Sequence, residues 1–487
     1  MFRTGITSIA GYLPRRRLLR KAIVDAGKWA NPGLAAHGKG RRTICSHDED
    51  SLTMAVEASR FCLAGADDTP LGLIQFASTT APFADRANSV ILNEALGRSA
   101  DVRCSDVTGF LGCGVTALIN ALECERPALT VASEKRLAKA ASVQELSLGH
   151  GAAAVTTGTD NVIARVLAAH SIAADFVDHY RTAGAQTDYL LEERWVRDEG
   201  QMKAAPPAIA AILTAANLGP GDIHHLVLAG ASRAAARQIA AQGGIPEARL
   251  VDMLDAGCGD TGSAQALLLL CHALETAGPG ETILLVNIAQ GCQALLFETT
   301  DAVGKQAPVR SIRSQLDGGV DDDNYLRFLS FNDQIDIDWG IRAERDNRTA
   351  LSAFNRHRKT ATGFVGGLCT ACGTRQFPKG RCCVNPECRQ FDTLVDEPFE
   401  HKVGTVKSYT EDWLAVSANP PLMYGNVTFD DGGVIMMEFT DFEPGELRVG
   451  LPVRFVFRIK EKDPKRQFHR YFWKAAPVHG EEGTAHG

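Results

Sequence analysis

Residues 104–123 read CSDVTGFLGCGVTALINALE. The spacing predicts the end of a buried strand, a tight glycine-rich turn and a helix that opens near Gly112. Thr116, Ala117, Ile119, Asn120, Ala121 and Glu123 continue it with small and apolar residues at helical period. Such a turn aims one side chain at the positive end of a helix, where a thiolate or an oxyanion is stabilised.

Outward from this stretch the chain alternates strands and helices. Gly5–Ala10 reads as a first strand followed by a basic loop. Ser51–Leu63 and Ala87–Leu96 read as helices, and Gly72–Ser78, Ala128–Ala132 and Ala152–Thr157 as strands. Residues 222–300 repeat the order. His225–Ala229 is a strand, Ala234–Gln242 a helix and Leu250–Leu254 a strand. The turn DAGCGDTG, the helix Ser263–Thr276 and the strands Glu281–Ile288 and Cys292–Thr299 follow. Both copies end their second helix in Ala-Leu-Glu, at 121–123 and 273–275, which marks an internal duplication. Near-continuous apolar strands such as HLVLA and TILLVNI fit sheets covered on both faces.

The chain has 487 residues, long enough for two or three domains. A net charge of −7 gives no general attraction to nucleic acid or anionic membrane. No apolar run long enough to span a bilayer occurs, and the first twenty residues lack a signal-peptide pattern, so a cytoplasmic protein is expected. The 13 cysteines are odd in number and mostly sit in apolar runs, so a disulfide framework is not expected.

Four cysteines differ. Cys369-Thr-Ala-Cys372-Gly and, about ten residues on, RCCVNPEC form two knuckles with zinc-ribbon spacing. Cys369, Cys372, Cys383 and Cys388 are the expected Zn2+ ligands, with Cys382 the alternate for the third. A closed shell of four thiolates makes the metal structural. Gly404–Tyr409, Tyr424–Phe429, Val434–Phe439, Val453–Ile459 and Phe468–Trp473 then read as five short strands of an OB-like barrel. Lys460, Lys462, Lys465 and Arg466 beside aromatics could hold a nucleotide's phosphates, bind single-stranded nucleic acid or simply close the barrel; nucleic acid is the least expected.

Two resemblances follow from these motifs. Asp-x-x-x-x-Cys-x-Gly-x-x-x-Ala-Leu, laid on Asp106, Ala117 and Leu118, resembles the nucleophile turn of the thiolase superfamily, nearest to ketoacyl synthase III and HMG-CoA synthase. The resemblance implies a duplicated α/β thiolase fold, layered α-β-α-β-α. It also places Leu111 where the family's cysteine stands, Ala229 where its histidine stands and Asp260 where its asparagine stands. All three differ from the family. Cys113 lies about 200° further round a helix; with His150 and His179 it is a weak catalytic candidate. His224 and His225 read as surface residues. GLCTACGTRQFP, GTVKSYT, DGGVIMMEFTD and VRFVFR resemble the acyl-CoA-associated family that joins a rubredoxin-like zinc ribbon to a small OB-fold β-barrel. That family accompanies thiolases, which implies acyl-CoA as shared ligand and a hetero-oligomer with a thiolase, while the thiolase resemblance implies a homodimer.

The expected division is therefore 1–165 and 221–300 for the two thiolase-like halves, with a cap at 166–220. A linker with docking helices spans 301–360, the ribbon 361–395, the barrel 396–475 and a tail 476–487. Arg181 in the cap and Lys460, Lys462 and Arg466 in the barrel are the candidates for holding CoA. A supporting subunit that works with a partner thiolase is the first expectation. A self-sufficient acyltransferase using Cys113 is the second.

Overall fold

The computed structural model describes residues 2, 4–64, 70–305, 310–344, 349–429 and 432–478; most of the expected tail lies outside them. The chain divides into two compact units. The first comprises Met1–Ser46, Asp50–Val90 and Ser99–Gln334; the second comprises His47–Glu49, Ile91–Arg98 and Ile335–Gly487.

In the first unit the strands are β1 (Gly5–Tyr12), β2 (Leu73–Ala77), β3 (Arg103–Val107), β4 (Ala128–Glu134), β5 (Gly151–Gly158), β6 (Ala164–Ala173), β7 (His225–Ala229), β8 (Thr282–Ile288) and β9 (Gly291–Thr299). They run in the order β7-β8-β9-β6-β1-β5-β4-β2-β3. The first half is β1-β5-β4-β2-β3, and the second repeats it as β6-β9-β8-β7. Pairing of Gly5 with Arg165 and Ile6 with Ala164 joins the two. The helices match likewise: α1 (Ser51–Ala64), α2 (Asn88–Ala95) and α3 (Cys113–Glu123) correspond to α4 (Met202–Ala216), α5 (Arg233–Gln242) and α6 (Gln265–Leu274).

Strand alternation sorts the layers. On β8, Ile283 and Leu285 pack into a central cluster with Val115, Leu118 and Leu122 of α3 and Leu267, Leu270 and Leu274 of α6. Leu284 and Val286 point the other way, onto Ile209 and Ile212 of α4 and Ile239 of α5. A sheet buried on both faces needs apolar residues at every position, which is why its strands read as continuous runs. This is the layered, thiolase-like α/β fold that the duplication implied.

Three readings need correction. Leu250–Leu254 is not a strand: only Leu250 bridges Leu226, and Leu254 turns away with φ 60°. The segment 166–220 is not all cap, because β6 and α4 lie inside it as counterparts of β1 and α1. The shorter insertion that remains carries the hairpin of His179–Tyr180 with Tyr189–Leu190 and a π-helical turn, Val196–Gln201. The basic loop after β1 contains a strand, Arg16–Leu19, paired with Arg41–Ile44 and with Val320–Asp322 from a stretch where no sheet was expected. Arg17 and Arg42 are fully buried there. Arg17 Nη2 donates to the Gln315 carbonyl at 2.7 Å, and the Arg42 guanidinium lies 5.1 Å over the Phe328 ring.

In the second unit, β10 (Val365–Cys369), β11 (Arg375–Gln376) and β12 (Leu394–Pro398) form a three-stranded ribbon. Then β13 (Gly404–Asp412), β14 (Leu422–Phe429), β15 (Val434–Glu438), β16 (Pro452–Asp463) and β17 (Phe468–Pro477) form the barrel in the order β15-β14-β13-β16-β17. All five expected barrel strands are present. A bridge between Phe439 and Ala475 draws its edges together. Phe364, Phe399, Phe455 and Trp473 fill its core, with Phe364 and Trp473 stacked at 5.5 Å.

Candidate functional site

Two places among the described residues are of chemical interest. The first is the N-terminus of α3, where β2, β4 and the turn before α6 converge. Leu111 reaches the turn Gly259–Gly262: its Cδ2 lies 3.4 Å from where a Cβ on Gly262 would sit. Ala229 closes β7 and is buried. Asp260 Oδ1 accepts from the Gly262 N–H at 2.8 Å, and Oδ2 lies 3.9 Å from Arg136 Nη1. An isobutyl group, a methyl group and a carboxylate stand at these three positions. None of the three is a nucleophile paired with a base.

The alternates are equally constrained. Cys113 is fully buried, and burial, with the Glu134 charge second, pushes its thiol up to about 12. His150 is also fully buried. Its Nδ1 accepts the Cys45 N–H at 2.9 Å, and Nε2 lies 3.2 Å from the Arg136 carbonyl. Burial first, then the nearby cations, holds it well below the usual histidine range, so it is neutral. Half-buried His179 contacts Asp178 Oδ1 at 2.8 Å through Nδ1. Arg181 donates to the Thr79 carbonyl and lies 3.7 Å from Asp188. In the barrel, Lys460 pairs with Glu438 and Arg466 with Asp463, while Lys462 sits opposite His469 in the ladder. Tyr471 and Trp473, two of the aromatics beside these cations, are core.

What the motifs did not reveal is Glu134, the last residue of β4. It is fully buried and accepts from Ser78 Oγ at 3.3 Å, the Thr79 N–H at 3.1 Å, Thr80 Oγ1 and Ser263 Oγ at 2.6 Å. The carboxylate thus ties the loop after β2, in the first half, to the turn before α6, in the second. Beside it, Arg136 donates to Asp188 through Nε (2.8 Å) and Nη2 (2.5 Å), both groups buried. A charged residue ending the apolar run ALTVASE was the one available signal: a carboxylate there is retained only if well partnered. The ensemble holds shape and charge, and its donors are already used internally.

The second place is the ribbon. The Sγ atoms of Cys369, Cys372, Cys383 and Cys388 all lie within 4.8 Å of one another, with Cys369–Cys388 at 3.9 Å and Cys372–Cys383 at 3.6 Å. A tetrahedral ion with bonds of about 2.3 Å sets sulfurs about 3.8 Å apart, so these four fit one. The open choice between neighbours resolves to Cys383. The Cys382 thiol turns to the carbonyls of Cys383 and Arg389.

Comparison with known proteins agrees with the fold. Residues 213–298 match the family described as 3-oxoacyl-[acyl-carrier-protein (ACP)] synthase III C terminal, and residues 401–458 match the ChsH2 C-terminal OB-fold domain. The hydroxymethylglutaryl-CoA synthase of Caldivirga maquilingensis is 27% identical over 344 residues, covering 66% of this chain and 97% of that protein. That of Methanopyrus kandleri is 26% identical, covering 63% and 91%. Among solved structures, an HMG-CoA synthase complexed with CoA aligns with a TM-score of 0.59 at 14% identity, covering 71% of this chain and 94% of that one. The 3-oxoacyl-(acyl carrier protein) synthase III of Pseudomonas aeruginosa PAO1 aligns at 0.54 and 20%, covering 61% and 98%. This chain joins a thiolase-like domain, similar to HMG-CoA synthases and to ketoacyl synthase III, to a ChsH2-type OB-fold domain. In this thiolase-like domain Leu111 lies in the turn before α3, and the ribbon cysteines form a cluster able to hold a metal. Among the described residues no helix is long and apolar enough to cross a membrane.

Proposed function

We propose that this thiolase-type chain is a supporting subunit of an acyl-CoA carbon–carbon bond-forming or thiolytic complex, and that a partner thiolase supplies the reactive cysteine. The observation that carries this reading is the turn itself. Leu111 occupies the nucleophile's place, with Ala229 and Asp260 where a histidine and an asparagine would act. Acyl transfer of the superfamily type needs a thiolate and a base within hydrogen-bond reach. Cys113 offers neither access nor charge at neutral pH, which argues against the self-sufficient acyltransferase. Hetero-oligomerisation, homodimerisation, a cytoplasmic home and CoA as the shared ligand are parts of the same proposal. So is a structural Zn2+ held by Cys369, Cys372, Cys383 and Cys388, which would lock the ribbon.

The test uses the full chain. Incubation with acetyl-CoA or acetoacetyl-CoA followed by intact-mass spectrometry is expected to show no acyl adduct. Co-expression with a candidate partner thiolase is expected to give one gel-filtration peak containing both chains, with thiolytic or condensing activity that disappears when the partner's cysteine is replaced. A thioester on the isolated chain, or full activity without a partner, overturns the proposal.

A further inference from the structure

A cavity of about 110 Å³ opens in the first unit, where the insertion after β6 meets the ends of β7 and β8. Ile172, Ala174, Phe176 and Ile288 line it with apolar surface, and Asp178 and Glu199 add carboxylates. Its walls are held in place. Gln201 Nε2 donates to the Gly230 carbonyl at 2.9 Å, which ties the π-helical turn to the end of β7. A Cβ on Gly200 would lie 2.5 Å from the Phe176 ring, so the turn closes on that ring only as glycine. Turns of this kind concentrate at functional positions. Small-molecule sites start at roughly 300 Å³, and a cavity of about 150 Å³ takes benzene. This smaller space has room for one side chain and not for a coenzyme.

The surface around the cavity is of the kind that meets another protein. Trp195 stacks on Phe176 at 5.9 Å, and Tyr180 lies against Tyr189 at 5.3 Å across the hairpin that follows Asp178. Trp195 is 48% exposed, Tyr180 51% and Tyr189 57%. Tryptophan and tyrosine grouped around a pocket are the composition of an interface hot spot. Charge narrows the partner. Residues 175–199 hold seven carboxylates against three arginines. Arg181 is spent near Asp188, Arg197 on Asp198, and Lys203 on Glu199. Asp178 Oδ1 meets His179 Nδ1 at 2.8 Å, and among the described residues no lysine or arginine pairs with it. Partial burial opposes the Asp178 charge, but His179 holds the carboxyl below its usual value, so it is ionised at neutral pH. Apolar walls, an aromatic ring and an anion together suit a side chain with a methylene stem and a cationic head.

We infer that this cavity and the aromatic surface around it dock the partner thiolase, with one arginine or lysine of that chain inserted beside Asp178. The inference rests on the reading of this chain as a partner-dependent subunit.

The test measures the affinity of the full-length chain for a candidate partner thiolase by calorimetry and gel filtration. Trp195→Ala, and Tyr180→Ala combined with Tyr189→Ala, are each expected to weaken the complex at least about tenfold. Trp195→Phe is expected to keep most of the affinity. Asp178→Asn is expected to weaken the complex and to flatten its salt dependence. Carbodiimide cross-linking followed by peptide mass spectrometry is expected to join carboxylates within 175–199 to lysines of the partner. Unchanged far-ultraviolet circular dichroism shows that each variant is folded. A complex indifferent to all of these variants, or cross-linked only elsewhere, overturns the docking surface and leaves the subunit reading untouched. Self-association of the isolated chain that Trp195→Ala abolishes overturns it in favour of a second copy. No complex at all removes the subunit reading and this inference with it.

Discussion

At the scale of single residues, the fate of one thiol separates a catalyst from a support. With its thiol pushed up to about 12 by burial, Cys113 is thiolate to about one part in ten thousand at pH 8. Iodoacetamide at pH 8 is expected to leave Cys113 unmodified in the native protein and to modify it after denaturation, read by peptide mass spectrometry. Rapid native labelling there would restore it as a nucleophile. His150 gives a prediction of the opposite kind. Its folded pKa is held below the unfolded value of about 6.5 by burial. Between the two values the unfolded chain binds more protons. The stability tied to the neutral ring is therefore complete above about pH 6.5 and is lost as pH falls, by up to about 1.4 kcal/mol per pH unit. His150→Asn is expected to lower Tm at pH 7.5 yet flatten its fall between pH 6.5 and 5; equal slopes in the two proteins would disprove the linkage. Leu111, Ala229 and Asp260 were singled out because a family motif marks their places. Glu134 and the buried Arg17 and Arg42 were not, because in sequence a charge reads as solvent-facing, and only the folded chain supplies the carbonyls and hydroxyls that make burial tolerable.

At the scale of elements, the central helices meet at a glycine. A Cβ on Gly114 of α3 would lie 2.2 Å from the Ser263 carbonyl, at the entry to α6. Gly114→Ala must push the two helix starts apart, and a cost of about 1–3 kcal/mol is expected in urea unfolding. An unchanged midpoint would mean the two starts are not in contact. Glu134 spans the same junction with four donors. Glu134→Ala strands Ser78, Thr80 and Ser263 without their acceptor, so a larger loss, about 2–4 kcal/mol, is expected. The double variant should lose less than the sum of the two, since the residues share Ser263. The repeated helix ends made the duplication visible, and continuous apolar runs made the covered sheets visible. The strand read at Leu250–Leu254 failed because an apolar run has the same look in a strand as in a buried extended loop. The cap was drawn too wide because β6, with alternating burial, and the proline-bearing α4 lack the signature of their first-half counterparts.

At the scale of the whole molecule, the division into two compact units lets a metal prediction be read locally. If the four ribbon thiols hold Zn2+, the ion closes the chain from Cys369 to Cys388 and its binding energy becomes part of the second unit's folding energy. The barrel and ribbon share buried aromatics, since Phe364, just before β10, packs against Phe399, Phe455 and Trp473, so loss of the ribbon should reach the barrel. One zinc per chain is expected by elemental analysis of protein purified without added chelator. Calorimetry should resolve a transition that a strong chelator moves down by several degrees, restored by equimolar Zn2+. Cys369→Ser should reproduce the shift without chelator, whereas Cys382→Ser should not, because the Cys382 thiol points away from the cluster. The α/β unit contributes none of the four ligands, so its transition is expected to stay in place. If both transitions move together the units fold as one, and if neither moves the four thiols hold the ribbon without an ion.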